Sequence, residues 1–109
     1  MQSAKLSARV ASYLVAANAQ DIDGVMANFG EDAVVRDEGQ DRRGAAAIRQ
    51  WAAEVSKKYR PSVETLGAAN ADDRTILTCR VFGDFPGSPV ELRYVFTLRD
   101  GKIARLEIS

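Results

Sequence analysis

The chain has 109 residues, the length of one domain, and we expect a single domain over residues 1–109. Fifteen Lys and Arg residues balance fifteen Asp and Glu residues. This zero formal charge disfavours binding to nucleic acid or to an anionic membrane surface. The chain contains no histidine, which excludes Ser-His-Asp and Cys-His triads and most zinc sites. We therefore expect any acid–base chemistry to use carboxylate, tyrosine, lysine or cysteine side chains.

The sequence favours a cytoplasmic location. It has no apolar run of about 18 residues, the length that would cross a membrane. The first residues lack the apolar core of a signal peptide. Cys79 is the single cysteine, which excludes an internal disulfide and is compatible with a reducing compartment.

The first half of the chain carries three segments with helical periodicity. Apolar residues recur at helical spacing over residues 4–19, which predicts an amphipathic helix. Asp21 is a favourable N-cap for a short second helix that includes Phe29 and ends at Gly30. The third predicted helix covers residues 44–59.

Alternating apolar and polar residues predict strands elsewhere. They are a short strand over residues 33–37 and four further strands at about 62–70, 74–83, 90–99 and 102–108. This order of elements predicts an α+β domain in which three helices near the N-terminus pack on one face of a curved antiparallel sheet.

The last two predicted strands can pair in more than one register. A two-residue turn over 100–101 would mix the apolar and polar faces. A three-residue loop over 99–101, with a left-handed glycine in a bulge, pairs Tyr94 with Leu106 and keeps the apolar faces together. We predict the bulged loop, which turns the Tyr94 ring inward.

An acid ends the short predicted strand. Because side chains alternate along a strand, Ala33, Val35 and Asp37 share one face. If Val35 faces the helices, Asp37 points into apolar surroundings, where desolvation disfavours its charged form and suits it to act as a general base. The alternative is that Val34 faces inward and Asp37 caps a loop in water.

Two tyrosines are candidate hydrogen-bond donors. Tyr13 lies on the apolar stripe of the first helix, and a phenol in a dry pocket can stabilise a developing oxyanion. The alternative is a core tyrosine bonded to a backbone carbonyl, and Tyr94 has the same two interpretations. We expect Trp51 and Tyr59 to form core or pocket wall, and Cys79 to be a small buried hydrophobe.

Three segments of the chain resemble bacterial steroid Δ5-3-ketoisomerases and the wider nuclear transport factor two-like and SnoaL-like group. They are residues 13–24, 29–37 and 43–49. The resemblance implies a cone-shaped nuclear transport factor two-like, or cystatin-like, fold. Tyr13 matches the isomerase tyrosine that donates to the substrate oxyanion, and Asp37 matches the aspartate that shuttles the proton.

The third catalytic residue of those isomerases is a protonated aspartate. The strand pattern places Tyr94 at that position in this chain, and a neutral phenol can also donate to an oxyanion. The match therefore keeps an oxyanion hole but does not favour a steroid substrate.

The resemblance implies an isomerase- or cyclase-like enzyme without metal or organic cofactor. Asp37 would abstract a proton next to a carbonyl of a small hydrophobic substrate, and Tyr13 and Tyr94 would hold the enolate oxygen. A non-catalytic protein that binds a small hydrophobic molecule is the alternative. Either protein could form a homodimer through the outer face of the sheet, where we place Ile103. The predicted pocket lining is Leu14, Ala17, Phe29, Val35, Trp51, Val55, Tyr59, Cys79, Val81, Leu92 and Leu106.

Overall fold

The computed structural model of the protein describes residues 7–109, so residues 4–6 of the first predicted helix lie outside the described residues. The α+β class is confirmed. In chain order the elements are α1 (Ala8–Asn18), α2 (Ile22–Met26), β1 (Phe29–Asp37), β2 (Gln40–Arg43), α3 (Ala45–Tyr59), β3 (Ser62–Ala71), β4 (Arg74–Phe82), β5 (Val90–Arg99) and β6 (Lys102–Ile108). Within that part of the chain, none of the helices has both the length and the apolar character needed to cross a membrane.

All six strands form one sheet in the order β2-β1-β6-β5-β4-β3. β1 and β6 run parallel, and the other neighbouring strands are antiparallel. The prediction of a purely antiparallel sheet is therefore wrong at this pair. The last strand returns beside the first, so the chain between them acts as the crossover that a parallel pair requires.

The second helix is shorter than predicted, and Phe29 lies in β1. The helix ends at Met26 because the buried Asn28 side chain donates a hydrogen bond to the carbonyl of Gly24. The carbonyl of Asn28 accepts a hydrogen bond from the backbone N–H of Ile103, which starts the sheet pairing. The predicted continuation of the helix to Phe29 and Gly30 is wrong, because backbone pairing with β6 replaces the helical hydrogen bonds there.

β2 was not predicted. Its four residues are polar, and a turn at Glu38 and Gly39 folds it back on β1. Both turn residues have positive φ angles, 54° and 74°, as type I′ turns require. This turn matters for the site because it directly follows Asp37.

The β5–β6 turn differs from the predicted three-residue loop. Arg99 pairs with Lys102 around a two-residue turn at Asp100 and Gly101. The φ angles of the two turn residues, 54° and 76°, are those of a type I′ turn, whose twist matches that of the flanking strands.

A bulge inside β6 restores the apolar face that the two-residue turn would otherwise lose. Leu98 pairs with Ile103, but Thr97 pairs with Arg105, so Ala104 is an extra residue.

The bulge changes which residues of β6 face inward. Ile103 and Leu106 are both fully buried, so the prediction that Ile103 lies on the outer face is wrong. Tyr94 pairs with Ile108 rather than with Leu106. Its ring nevertheless faces inward, where it is 6% exposed.

α3 agrees closely with the third predicted helix. It begins after Gly44, whose φ of 85° is left-handed, and it packs on β1 and α2 through a face that includes Ile48, Trp51 and Ala52. The interior between the helices and the sheet holds the core on one side and a cavity on the other.

Candidate functional site

A cavity of about 610 Å³ lies between the helices and the inner face of the sheet. Its wall is mostly apolar, and its volume falls within the range of sites for small organic ligands. Six of the residues predicted to line a pocket do line this cavity: Ala17, Trp51, Val55, Tyr59, Val81 and Leu92.

The other five predicted lining residues lie in the core and are absent from the cavity wall. They are Leu14, Phe29, Val35, Cys79 and Leu106. Their side chains point inward, as the periodicity indicated, but other rings fill the interior on that side. The Tyr13 ring, for example, packs edge-on against Phe29 and Phe96, at centroid distances of 5.7 and 5.4 Å.

Asp37 lies at the end of β1 and lines the cavity. Ala33 and Val35 on the same strand are buried, so the inward face is the one that carries Asp37. The carboxylate is half-buried, and its Oδ2 accepts a hydrogen bond of 3.0 Å from the indole N–H of Trp51. One oxygen of the acid is thereby fixed by a side chain of α3.

Tyr13 projects from α1 into the same cavity. Burial raises the pKa of its phenol well above the usual range, and the charge of the nearby Asp37 carboxylate, with that of Cys79 once it ionises, adds to the rise. The phenol is therefore neutral at physiological pH and remains a hydrogen-bond donor.

Tyr94 reaches the cavity from β5 on the sheet side. Burial raises its pKa well above 10, and the charged forms of Tyr13, Cys79 and Asp37 contribute further. The influence of Asp37 on both phenols agrees with the position of all three side chains on one cavity wall.

Both phenol hydroxyls open onto the cavity. Among residues 7–109, neither Tyr13 nor Tyr94 makes a side-chain hydrogen bond. Yet no buried side-chain polar atom in the same part of the chain lacks a hydrogen-bond partner. The two hydroxyls must therefore be accessible, and the cavity is the space that both residues line. A carboxylate and two neutral donors thus face one apolar space, an arrangement that can move a proton and hold an oxyanion.

Sequence reasoning missed several lining residues. Gln20 and Ser56 are polar, and Gln20 lies in the turn between α1 and α2. Phe85 and Pro61 come from connecting segments, and no periodicity indicates where such segments fold. Ser56 had a detectable signal, because it lies four residues after Ala52 on the inward face of α3.

The family model of the SnoaL-like domain matches residues 10–106. A candidate polyketide cyclase from Sinorhizobium meliloti is 40% identical, with 100% of each chain covered and a TM-score of 0.94. A search of curated proteins found no match.

Two more distant structures share the fold. A nuclear transport factor two-like protein of unknown function from Cytophaga hutchinsonii is 12% identical, with 99% of this chain and 93% of that chain covered and a TM-score of 0.80. A protein with a ketosteroid isomerase-like fold from Catenulispora acidiphila, in complex with trimethylamine, is 17% identical, with 96% and 86% covered and a TM-score of 0.84. The chain therefore belongs to the SnoaL-like domain family and has the nuclear transport factor two-like fold.

Proposed function

We propose that the protein is a cofactor-independent enzyme of the cyclase or isomerase type that acts on a small hydrophobic carbonyl compound. One observation carries this proposal: Asp37 and the open phenols of Tyr13 and Tyr94 face one mostly apolar cavity. The 40% identical candidate polyketide cyclase supports a substrate with more than one carbonyl group.

In the proposed reaction Asp37 removes a proton from a carbon next to a carbonyl group. The electron pair of the broken C–H bond forms the enolate, whose negative oxygen accepts hydrogen bonds from Tyr13 and Tyr94. Both phenols donate without losing their protons because burial raises their pKa values. Such donors have the greatest effect in a site that excludes water.

The proton returns to the substrate in the second step. In an isomerisation Asp37 delivers it to another carbon of the conjugated enolate. In a cyclisation the enolate carbon attacks a second carbonyl of the same molecule, a C–C bond forms, and the resulting alkoxide takes the proton. Neither route adds or removes atoms, so a carboxylate and neutral donors suffice.

Substitution of Asp37 by Asn tests the proposal directly. The amide oxygen still accepts the Trp51 hydrogen bond, but it cannot take a proton from carbon. We expect the variant to lose catalysis at least about a hundredfold, a typical contribution of a general base. The measurement is exchange of α-protons with deuterated water, followed by NMR over a panel of hydrophobic ketones and diketones.

Asp32→Asn is the matched control, since Asp32 is exposed on the same strand and does not line the cavity. We expect it to exchange protons at the wild-type rate. Full exchange activity in Asp37→Asn would show that another group acts as the base.

A binding protein for a small hydrophobic molecule is the second candidate. It is favoured by the size and apolar wall of the cavity, which suit a ligand without any chemistry. In that case a ligand binds equally well to the wild type and Asp37→Asn, and neither protein accelerates proton exchange. Comparison of the wild type with Asp37→Asn therefore distinguishes the enzyme from the binding protein.

A further inference from the structure

The cavity wall contains a second hydrogen-bonding group, formed by Gln20 and Ser56. The hydroxyl of Ser56 donates to Gln20 Oε1 at 2.5 Å, and Gln20 Nε2 donates to the carbonyl oxygen of Pro61 at 2.9 Å. All three residues line the cavity. None of them belongs to the group around Asp37.

These contacts fix the orientation of the Gln20 amide. The carbonyl of Pro61 is only an acceptor, so the amide must turn its NH₂ toward Pro61 and its oxygen toward Ser56. Ser56 must then be the donor in their mutual bond. Its oxygen keeps its lone pairs as acceptor sites, and the second N–H of Gln20 remains as a donor. Neither group makes a further side-chain hydrogen bond within residues 7–109.

The backbone holds this pair rigidly. Gln20 follows α1 with a left-handed φ of 58°, and its N–H bonds to the carbonyl of Ala17 at 3.1 Å. Ser56 is part of α3. Neither side chain can leave the cavity wall without breaking contacts between the α1–α2 turn and the end of α3.

Ser56 is offset along α3 from Trp51, the residue that bonds to Asp37. Ser56 comes five residues after Trp51 in α3, about 7.5 Å farther along the helix axis. Gln20 comes seven residues after Tyr13, beyond the C-terminal end of α1. Ala17 and Val55 lie between in sequence and give the wall an apolar middle section.

The first polar group of the cavity, around Asp37, and the second, the Gln20–Ser56 pair, differ in charge as well as in position. Around the first are Asp37 and the charged lining residues Arg36, Glu38 and Glu107. The second offers a neutral acceptor and a neutral donor, which together match a hydroxyl group better than a carbonyl or an ion.

We propose, on the basis of the proposed function, that the substrate carries a hydroxyl group remote from the carbon that Asp37 deprotonates, at about the 7.5 Å that separates Trp51 from Ser56 along α3. The hydroxyl donates to Ser56 Oγ and accepts from Gln20 Nε2. Ser56 and Gln20 are thus specificity-determining residues that orient a substrate polar at both ends and apolar between them. An unmatched ligand leaves their donor and acceptor unpaired, which is how a hydrogen-bonding site discriminates.

A pair of ketones tests this inference by calorimetry. One is cyclohexanone with a phenyl ring opposite its carbonyl, and the other carries an added para-hydroxyl on that ring, about 8 Å from the α-carbon on standard bond lengths. We expect the wild type to bind the hydroxylated ketone about tenfold more tightly, as one or two added hydrogen bonds provide. Ser56→Ala should bind both ketones within about twofold of each other.

Two controls keep the result interpretable. Ser12→Ala replaces an exposed helical serine away from the cavity and should keep the tenfold preference. Unchanged binding of the plain ketone to Ser56→Ala shows that the fold is intact. The inference is overturned if the wild type has no preference for the hydroxylated ketone, or if Ser56→Ala keeps it.

Asp37→Asn separates this inference from the proposed function. We expect it to keep the preference for the hydroxylated ketone while it loses proton exchange. If Asp37→Asn keeps both the preference and proton exchange, the general-base role of Asp37 is contradicted and the inference about Ser56 is not. The inference about Ser56 is supported if Ser56→Ala loses the preference and Asp37→Asn keeps it.

Discussion

The indole N–H of Trp51 restricts how the Asp37 carboxylate can turn. Trp51 is 5% exposed and comes from α3, so a rigid helix positions an acid at the end of a strand. Oδ1 has no hydrogen-bond partner among residues 7–109 and is the oxygen free to take a proton. We therefore regard Trp51 as a positioning residue for the proposed base.

Trp51→Phe should lower kcat for proton exchange about tenfold, because the ring remains but the hydrogen bond is lost. The affinity for the plain ketone should change little. The decisive readout is the double variant with Asp37→Asn, in which the Trp51 substitution should cause no further loss of rate. Equal losses in both backgrounds would mean that Trp51 acts through packing alone.

At the scale of single residues, the sequence predicted which side chains face inward better than it predicted which of them reach the cavity. Strand alternation turned Asp37 inward, and the helical stripe did the same for Tyr13. Leu14 and Val35 also face inward, but they lie behind other side chains in the core. Whether an inward residue meets a cavity or a neighbour depends on packing between elements that are distant in sequence.

The C-terminal end of α3 carries a strained residue. Arg60 follows the helix in the left-handed conformation, with φ of 46°, and its N–H bonds to the carbonyl of Ser56. A left-handed residue at this position satisfies helix carbonyls, but glycine adopts it at lower cost than a residue with a Cβ atom.

Arg60→Gly should therefore raise the free energy of unfolding, by up to about 1 kcal/mol. Lys57→Gly is the matched control within the helix, where glycine should destabilise the protein by about 1 kcal/mol. Urea unfolding of the three proteins measures both effects. A loss of stability in Arg60→Gly would show that the arginine side chain contributes more than its backbone strain costs.

Element types were easier to predict than their pairing. α3 was predicted almost to its ends because its stripe is long. β2 was missed because an edge strand of polar residues has no apolar alternation, and its stability comes from backbone bonds to β1. The bulge at Ala104 was placed in the turn instead, since either position restores the apolar face.

Three weakly acidic side chains, those of Cys79, Tyr13 and Tyr94, are buried in the interior of the protein. Burial raises the pKa of Cys79 from 9.0 to about 11, and the pKa values of Tyr13 and Tyr94 rise above their usual range of about 10. Each group is protonated in the folded chain at a pH where the unfolded chain has begun to ionise. Their stabilisation is thus complete below the unfolded pKa and is lost as the pH rises toward the folded pKa.

Stability should consequently fall from about pH 9 upward, and Cys79 should dominate the first part of the decline. Cys79→Ala should show a smaller slope between pH 9 and about 11, even if its stability at neutral pH is lower. Urea unfolding across this range gives the slopes. Identical slopes in the two proteins would remove Cys79 as the cause.

The oligomeric state of the protein stays a prediction. A homodimer through the outer face of the sheet was expected from the sequence, but Ile103 is in the core and does not contribute to that face. Exposed apolar side chains on the sheet include Leu66 on β3 and Phe82 at the end of β4. A cytoplasmic location likewise stays a prediction.

Trp51 is the single tryptophan of the chain, and it borders both the main cavity and a smaller one of about 160 Å³ that Asp37 also lines. Its fluorescence is therefore an intrinsic optical reporter that needs no label. An occupant of the main cavity changes the polarity around the ring. Titration of the emission against added compounds can therefore read occupancy of the cavity directly.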